Sequence, residues 1–477
     1  MARSVFVEFR FRKAFKAAKE GDDSIWELLR DRFEGTGFRL DEKCPAIPMD
    51  LGNAPDEGPP PKPRPTVLVR AVLEDDDEDE ASPWGGSRTS RAARKLIKKK
   101  NVVGVYTDPA IVPHGVCTRA NSRNPVRHRG TYRNVQQLLH KDLLQQHGMT
   151  GNGVWLAILD SGVNTDFLTQ RTGPGFEQGI ELDFDADKSH SLVKGVKPGE
   201  ACKEHGTVMA FDAWITAPEY TLLDFPILKL CQSDEDEQGD FTSQFAAGFL
   251  FDACAIYCKL IDLLKEYKED KPRLVVNNSW GVKHLRGQDA RRGHPMNYSY
   301  NFAHPFNRIV RHLAAAGADI LFSAGNCGET RPNGVEDPCS RRGPHTIYGA
   351  NSHPDVLSIG AVTVNQHRIG YSSRGYGALS CSKPDVCCYA HFRGAEVPGT
   401  YANGRIDVGT STASAVASGV VTAIRSQYPP DKLPPRELRK LIRKTANKLD
   451  MPGYEQNYGY GILDVQKLIK SILRRYP

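Results

Sequence analysis

Hydrophobic residues recur along most of this chain in runs of strand or helix length, separated by polar segments. From residue 135 onward the two kinds of run alternate, as shown by the strand-length run Val154–Leu159 and the helical stretches Thr242–Lys268 and His304–Ala316. Apolar strands that alternate with helices are typical of a mostly parallel sheet covered by helices on both faces. We therefore predict a large α/β domain over residues 135–477.

Residues 1–112 show shorter elements in a different order. Alternation predicts strands at Ser4–Arg12 and Thr66–Leu73, and helical periodicity predicts helices at Ser24–Phe33 and Ser90–Lys100. With two shorter strands, the order becomes strand, helix, strand, strand, helix, strand. That order predicts a small α+β, ferredoxin-like domain ahead of the larger one.

Composition excludes some classes of protein. The 477 residues include 63 basic and 57 acidic ones, and this net charge of +6 is too mild to indicate a nucleic-acid or membrane partner. The N-terminus lacks the apolar core of a secretion signal, and no run is long enough to cross a bilayer. We expect a cytoplasmic protein, with export by an unrecognised route left open.

Eleven cysteines are scattered along the chain. An odd, scattered set fits reduced thiols in the cytosol, and this is the favoured interpretation. Cys327 and Cys339 bracket a loop, so a disulfide or a metal there is the less favoured alternative.

Four short segments carry residues that nucleophilic catalysis uses. Asp160 ends the apolar strand, His205 begins a small apolar helical segment, Asn326 follows a predicted strand, and Ser411 lies in the first turn of a helix. A serine hydroxyl becomes a good nucleophile only with a base and with donors that stabilise the oxyanion. Taken singly, these residues are also ordinary turn, core and helix-cap residues.

Together, the order Asp, His, Asn, Ser resembles the subtilisin-like serine peptidases, the subtilases. The matching segments are Asp160-Ser161-Gly162, His205-Gly206-Thr207, Ala324-Gly325-Asn326 and Gly409-Thr410-Ser411, within a resemblance that spans roughly residues 135 to 470. It implies a three-layer α/β domain that hydrolyses peptide bonds. Ser411 would be the nucleophile, His205 the base, Asp160 its orienting carboxylate and Asn326 an oxyanion donor. No cofactor is needed for this chemistry, and structural calcium, common in the family, is not readable from the sequence.

The sequence departs from the family pattern at small positions. Thr412 and Ala415 stand where the family often has methionine and proline, and Val208 stands where it often has a second histidine. None of the three is a proposed catalytic group. We therefore expect altered packing and retained chemistry.

The resemblance also implies a substrate cleft. An extended peptide would add a strand beside one segment, and the pocket for the side chain before the cut bond would lie between that segment and a second one, with Tyr348 near its base. The predicted cleft residues are Ser279, Trp280, Gly281, Ser323, Ala324, Gly325 and Tyr348.

A subtilase often begins with a propeptide that assists folding and inhibits the enzyme. By this resemblance residues 1–112 would be such a domain, residues 113–134 a processing loop, and residues 135–477 the peptidase. Self-cleavage is expected somewhere within residues 108–134, because residues 113 to about 134 are polar, basic and poor in periodicity. The partners would be peptide or protein substrates and the chain's own N-terminal domain as an intramolecular inhibitor.

Two alternatives remain open. One is a dedicated maturation protease that trims a specific precursor peptide, which the long insertions at residues 173–202 and 283–302 favour. The other is a non-catalytic binding relative, disfavoured because all four chemical positions are present.

Overall fold

The computed structural model describes most of the chain. The residues it describes are 4–51, 65–74, 88–113, 130–171, 179–201, 205–229, 248–270, 272–282, 294, 297–328, 345–397 and 406–477. Most of the expected processing loop and Cys339 lie outside these ranges. Within them, no helix is both long enough and apolar enough to cross a membrane.

The strands of the described residues are, in chain order, β1 (Ser4–Phe9), β2 (Phe38–Leu40), β3 (Ile47–Met49), β4 (Thr66–Leu73), β5 (Val102–Thr107), β6 (Ala110–Pro113), β7 (Gly130–Thr131), β8 (Val154–Asp160), β9 (Asp183–Phe184), β10 (Thr221–Pro226), β11 (Gly248–Phe249), β12 (Arg273–Asn278), β13 (Trp280–Val282), β14 (Asp319–Ser323), β15 (Leu357–Val362), β16 (Val386–Tyr389) and β17 (Phe392–Arg393).

The helices of the same residues are α1 (Arg12–Glu20), α2 (Ser24–Arg30), α3 (Arg88–Leu96), α4 (Tyr132–Leu138), α5 (Lys141–Gln146), α6 (Thr165–Gln170), α7 (His205–Trp214), α8 (Leu250–Glu266), α9 (Pro305–Ala315), α10 (Gly409–Arg425), α11 (Pro435–Thr445) and α12 (Val465–Arg475).

The chain divides into two compact units. The first comprises residues 1–110, 249–263 and 284–315, and the second comprises residues 111–248, 264–283 and 316–477. The domain boundaries expected from the sequence, at residues 112 and 134, stay a prediction.

In the first unit, a five-stranded antiparallel sheet has the order β2-β4-β1-β5, with β3 also paired to β4. The predicted order of strand, helix, strand, strand, helix, strand is present, but two elements were missed. The first predicted strand ends at Phe9 and is followed by helix α1, and β3 adds a short strand. The ferredoxin-like class stays a prediction.

Residues far apart in sequence join within this unit. Glu8 is buried and accepts hydrogen bonds from both terminal nitrogens of the Arg308 guanidinium, at 2.9 and 3.0 Å. The ring of Phe6 meets the ring of Phe251 edge-on, with centroids 5.3 Å apart. The Phe251 N–H donates to the buried Asp108 carboxylate at 3.0 Å. Residues 1–110 therefore share both apolar and charged contacts with the later segments of their unit.

The second unit is a three-layer α/β fold built on a seven-stranded sheet of order β16-β15-β14-β12-β8-β10-β9. All of its pairings are parallel. Its strands are almost continuously buried, as strands covered on both faces must be. The predicted mostly parallel sheet is confirmed.

Helix α10 is buried along its whole length and packs across β8, β12, β14, β15 and β16. At its C-terminal end the guanidinium of Arg425, fully buried, forms a two-bond ion pair with Asp319 at the start of β14. A further nitrogen of Arg425 donates to the Tyr428 carbonyl at 2.9 Å. These bonds fix the helix against the sheet because a buried guanidinium must keep its partners.

Replacing Arg425 tests this anchor. Arg425→Leu should lower the free energy of unfolding by about 3–5 kcal/mol, since it leaves the Asp319 carboxylate buried and unpaired. Urea unfolding followed by circular dichroism would measure the change. As a control, Lys467→Met removes the exposed pair with Asp464 and should cost less than about 1 kcal/mol. Equal losses in the two variants would contradict the anchoring role.

Candidate active site

Asp160 lies at the C-terminal end of β8 and is fully buried. Its Oδ1 lies 2.8 Å from Nδ1 of His205 and also accepts a hydrogen bond from the Ser161 N–H at 2.7 Å. A carboxylate in this position fixes the orientation of the imidazole and selects the tautomer with hydrogen on Nδ1. The structure thus brings together two residues that are 45 positions apart.

His205 is the first residue of α7 and is 6% exposed. The turn after Asp160 lies directly against it. A Cβ on Gly206 would come within 2.4 Å of the Gly162 carbonyl oxygen, and the Gly206 N–H donates to Ser161 Oγ at 3.1 Å. Glycine is required here because the two backbones approach too closely for a side chain.

A second carboxyl group holds the turn that follows Asp160. Asp224, in the middle of β10, accepts hydrogen bonds through Oδ2 from the N–H groups of Val163 at 3.0 Å and Gly199 at 2.9 Å. Burial raises the pKa of Asp224 to about 7, although both N–H groups act to lower it. Asp224 was not among the residues predicted from the sequence. An acidic residue inside an otherwise apolar strand was the available signal.

Ser411 lies in the first turn of α10 and is fully buried. Gly409 begins the helix with φ at 90°, a conformation that favours glycine, and its N–H donates to the Tyr371 hydroxyl at 2.8 Å. Ser411 Oγ donates to the Ser279 carbonyl at 3.2 Å, and Ser279 Oγ donates to the Ser411 carbonyl at 3.3 Å. The predicted nucleophile therefore touches the predicted cleft segment.

Asn326 follows β14 and is hydrogen-bonded to α10 through Thr410, a residue not predicted from the sequence. Asn326 Oδ1 accepts hydrogen bonds from both the N–H and the Oγ1 of Thr410, each at 3.0 Å. Thr410 Oγ1 in turn accepts from the Gly325 N–H at 3.0 Å. Because the amide oxygen is held in this way, the orientation of the Asn326 amide is fixed beside Ser411.

The walls of the predicted pocket are also connected. Asn351 Nδ2 donates to the carbonyls of Trp280, at 2.8 Å, and Ser323, at 2.9 Å. The Trp280 ring packs edge-on against Phe322, with centroids 5.2 Å apart. These contacts join the segment of Ser279, Trp280 and Gly281 to that of Ser323, Ala324 and Gly325. Tyr348, near the base by prediction, is buried.

Helices α7 and α10 pack closely. A Cβ on Gly419 would come within 2.2 Å of the Ala213 carbonyl oxygen. The buried carboxyl groups of Asp212, next to Ala213 in α7, and Asp407, just before α10, interact with each other. Burial and the neighbouring Asp407 carboxyl raise the pKa of Asp212 well above its ordinary range.

Burial also raises the pKa of Asp407, to about 6, against the opposing effects of the Ala395 N–H and the Arg171 guanidinium. The charged or polar neighbours of the pair are Arg171, Glu396, Cys388 and Thr412. Two carboxyl groups in contact hold one proton between them more favourably than they hold two charges.

Two expectations concern metals and thiols. Among the described ranges, no group of three or more His, Cys, Asp or Glu residues is arranged to hold a metal ion. Cys327 is disulfide-bonded, so the favoured interpretation of reduced thiols is wrong for this residue. Cys254, Cys387 and Cys388 are free, buried thiols.

The chain matches a protein-family model. The model of the Subtilase family matches residues 151–461, more than half of the chain. Similar curated proteins are Fervidolysin of Fervidobacterium pennivorans, 26% identical over 214 residues (42% of this chain, 26% of the relative), and Subtilisin-like protease SBT6.1 of Arabidopsis thaliana, 31% identical over 204 residues (36% and 18%). Subtilisin DY of Bacillus licheniformis is 29% identical over 159 residues (33% and 49%). The chain therefore spans less than two thirds of each of these relatives.

Among solved structures, MycP1 from the ESX-1 type VII secretion system aligns over 76% of this chain and 90% of that chain, with 17% identity and a TM-score of 0.48. MycP1 with its N-terminal propeptide removed aligns with a TM-score of 0.46 at 16% identity, over 70% of this chain and 96% of that chain.

The acid pair predicts how stability depends on pH. Because the folded pKa values of Asp212 and Asp407 are raised, the stabilisation they give is fully present below the unfolded pKa of about 3.9 and is lost as pH rises through about 6 and above. Thermal unfolding should show a Tm that falls between pH 5 and pH 8. In Asp212→Asn this fall should be smaller by roughly 2–5 °C.

Asp166→Asn changes an exposed carboxylate on α6 and serves as the control. Its pH profile should match that of the wild type. If Asp212→Asn also retains the wild-type profile, the acid pair is not the source of the dependence.

Proposed function

The chain belongs to the subtilase family, and from that membership we propose that it is a serine endopeptidase that acts through Ser411, His205 and Asp160. The observation that carries the proposal is the 2.8 Å contact between Asp160 Oδ1 and His205 Nδ1, on a helix packed against the one that bears Ser411. That arrangement is what a serine nucleophile needs from its base and from the group that orients the base.

In the proposed reaction Ser411 Oγ attacks the carbonyl carbon of a peptide bond. His205 takes the serine proton through Nε2 and later gives it to the leaving amine, while Asp160 stabilises the imidazolium that forms between these steps. Water then hydrolyses the acyl-enzyme ester by the same route. The chemistry requires no cofactor.

The oxyanion would be stabilised by the Asn326 side-chain amide and the Ser411 N–H. Thr410 supports this role because it holds Asn326 Oδ1 with two donors, which leaves the amide nitrogen as the group that can face a substrate. Ser411 also lies at the N-terminus of a buried 17-residue helix, where the helix dipole favours negative charge. Donors fixed before the reaction do not have to reorganise as charge develops.

The substrate would be a peptide or protein segment in extended conformation. It would pair with the β13 edge at Trp280 and Gly281 and insert one side chain between that segment and Ser323–Gly325. Tyr348 at the base would shorten this pocket and favour small or flat side chains. A panel of peptides that differ only at this position tests the pocket, and cleavage after lysine or arginine as fast as after alanine would contradict it.

Residues 1–112 would act as an intramolecular inhibitor that is separated from the peptidase by self-cleavage. The paired Glu8 and Arg308 support this role, since they hold the N-terminal residues to a segment in residues 284–315 through a partly buried ion pair.

Replacement of Ser411 and Asn326 tests the mechanism. Ser411→Ala should lower kcat for peptide hydrolysis by about 10⁶-fold, the figure known for the nucleophile of subtilisin. Asn326→Ala should lower kcat by about 10²–10³-fold, again the subtilisin figure, with a smaller change in KM. A fluorogenic peptide assay on purified protein measures both. Full activity in Ser411→Ala would favour a different nucleophile, and no activity in any form would favour the binding-relative alternative.

The role of Thr410 is tested by Thr410→Val, which keeps the shape and removes the hydroxyl. We expect kcat to fall about tenfold, because Asn326 Oδ1 loses one of its two donors. In an Asn326→Ala background the same change should have little further effect, since the group that Thr410 positions is already absent. Equal effects in both backgrounds would show that Thr410 acts on something other than Asn326.

A further inference from the structure

Three serines lie along one face of helix α10. Ser411, Ser414 and Ser418 are spaced by three and four residues, so their side chains share that face. All three are fully buried. The face packs on β12, where it contacts Asn277 and, one residue past the strand, Ser279. These five side chains therefore form a buried polar cluster between the helix and the strand.

Asn277 lies at the centre of this cluster. Its Oδ1 accepts one hydrogen bond from Ser414 Oγ and one from Ser418 Oγ, each at 3.1 Å. Its Nδ2 donates to Ser279 Oγ at 3.0 Å. The residue is 1% exposed, so its amide is used within the protein and does not face a substrate. Because the amide oxygen faces two hydroxyl donors, the nitrogen is fixed toward Ser279.

The bond from Asn277 decides what the Ser279 hydroxyl does. A serine hydroxyl carries a single hydrogen and rotates to suit its neighbours. Since Asn277 Nδ2 supplies a hydrogen to Ser279 Oγ, the hydrogen of the hydroxyl itself is left for the Ser411 carbonyl, 3.3 Å away. Ser411 Oγ in turn donates to the Ser279 carbonyl at 3.2 Å. The amide of Asn277 therefore orients the group that holds the backbone of the proposed nucleophile.

The cluster also restrains where α10 lies along β12. Apolar packing is non-directional, whereas a hydrogen bond holds two particular atoms together. A shift that breaks a buried hydrogen bond leaves a donor or an acceptor without a partner, which is costly in the interior. The two bonds to Asn277 Oδ1 come from successive turns of the helix, so they oppose both rotation and sliding of the helix that carries Ser411.

We propose that Asn277 is a positioning residue for Ser411: it directs the Ser279 hydroxyl to the Ser411 carbonyl, holds the register of α10 and thereby sets the rate of acylation. This inference deepens the proposed function and rests on it. The effect on rate follows from geometry, since a misplacement of a reacting group by about 1 Å can cost about a hundredfold.

The variant Asn277→Asp tests the donated bond. A carboxylate of the same shape keeps the acceptor for Ser414 and loses the hydrogens that Asn277 gives to Ser279. We expect kcat for hydrolysis of denatured casein by the full chain at pH 8 to fall about tenfold or more, with KM changed by less than about twofold. The rate constant for labelling of Ser411 by a fluorophosphonate probe should fall by the same factor. Both rates are divided by the concentration of sites labelled at completion, which removes the contribution of unfolded molecules.

The matched control is Asn447→Asp. It makes the same change of amide to carboxylate at a half-buried position, where the amide donates to Gln366 Oε1 at 3.4 Å. Both rates should stay within about twofold of wild type. If Asn447→Asp lowers them as much as Asn277→Asp does, the added charge is the cause and the inference is overturned.

A double substitution shows whether Asn277 acts through Ser279. Ser279→Ala removes the hydroxyl and should lower kcat by a factor similar to that of Asn277→Asp. In the Ser279→Ala background, Asn277→Asp should lower kcat by less than about threefold more, since the hydroxyl that it directs is already absent. Equal effects in the two backgrounds, or a raised KM with an unchanged kcat, would overturn the inference.

The variant Ser414→Ala decides the question if Asn277→Asp does not fold. Alanine is favourable inside a helix, and the substitution removes one of the two donors to Asn277 Oδ1. We expect a folded protein whose kcat is lower by about threefold or more at an unchanged KM. A wild-type kcat in this variant would contradict the positioning role.

The wild-type protein separates this inference from the proposed function. If it neither hydrolyses casein nor reacts with the fluorophosphonate, the proposed function fails together with the inference. If it does both and Asn277→Asp retains its kcat, the inference alone fails and the endopeptidase stands.

Discussion

The packing of helix α10 against the parallel sheet is the constraint on which the candidate site depends. Its C-terminal end is fixed by the buried ion pair of Arg425 with Asp319, at the start of β14, and its N-terminal end carries Ser411. The other end of β14 leads to Asn326. One helix and one strand, joined at the far end by a buried ion pair, therefore set the separation of the proposed nucleophile and the proposed oxyanion donor. Because the interior is close-packed, a shift of either element would disturb many contacts at once.

Short polar side chains set the orientation of the proposed catalytic groups. Thr410 holds the Asn326 amide, and Asp224 holds the loop after Asp160 through two backbone N–H groups. These supports lie among backbone groups that would otherwise be buried without partners, so they satisfy hydrogen bonds and position the site together. Stability and preorganisation have the same source in this region, and a substitution that removes one support weakens both.

The sequence was informative where the signal is local. The apolar run that becomes β8 and ends at Asp160 could be predicted from its hydrophobic residues alone, and so could the parallel sheet. It was uninformative where the deciding contact is distant. Strand β3 exists because it pairs with β4, and the interaction of Asp212 with Asp407 joins residues 195 positions apart, so neither can be read from neighbouring residues. Helix α1 was missed because its small apolar positions, Ala14 and Ala17, are surrounded by charge after a strand-like start.

The edge of β13 in the predicted cleft presents backbone groups that can distinguish between peptide sequences. An open strand edge invites pairing, and here β6 covers it. Along an antiparallel edge the backbone hydrogen bonds fall at alternate positions, and the Trp280 carbonyl already accepts one from Asn351 Nδ2. A proline opposite Trp280 therefore loses nothing on binding and brings a restricted backbone, which lowers the entropy cost of ordering the peptide. A proline opposite Gly281 would instead forfeit a hydrogen bond. For the proposed peptide substrate we therefore expect proline to be accepted opposite Trp280 and disfavoured opposite Gly281.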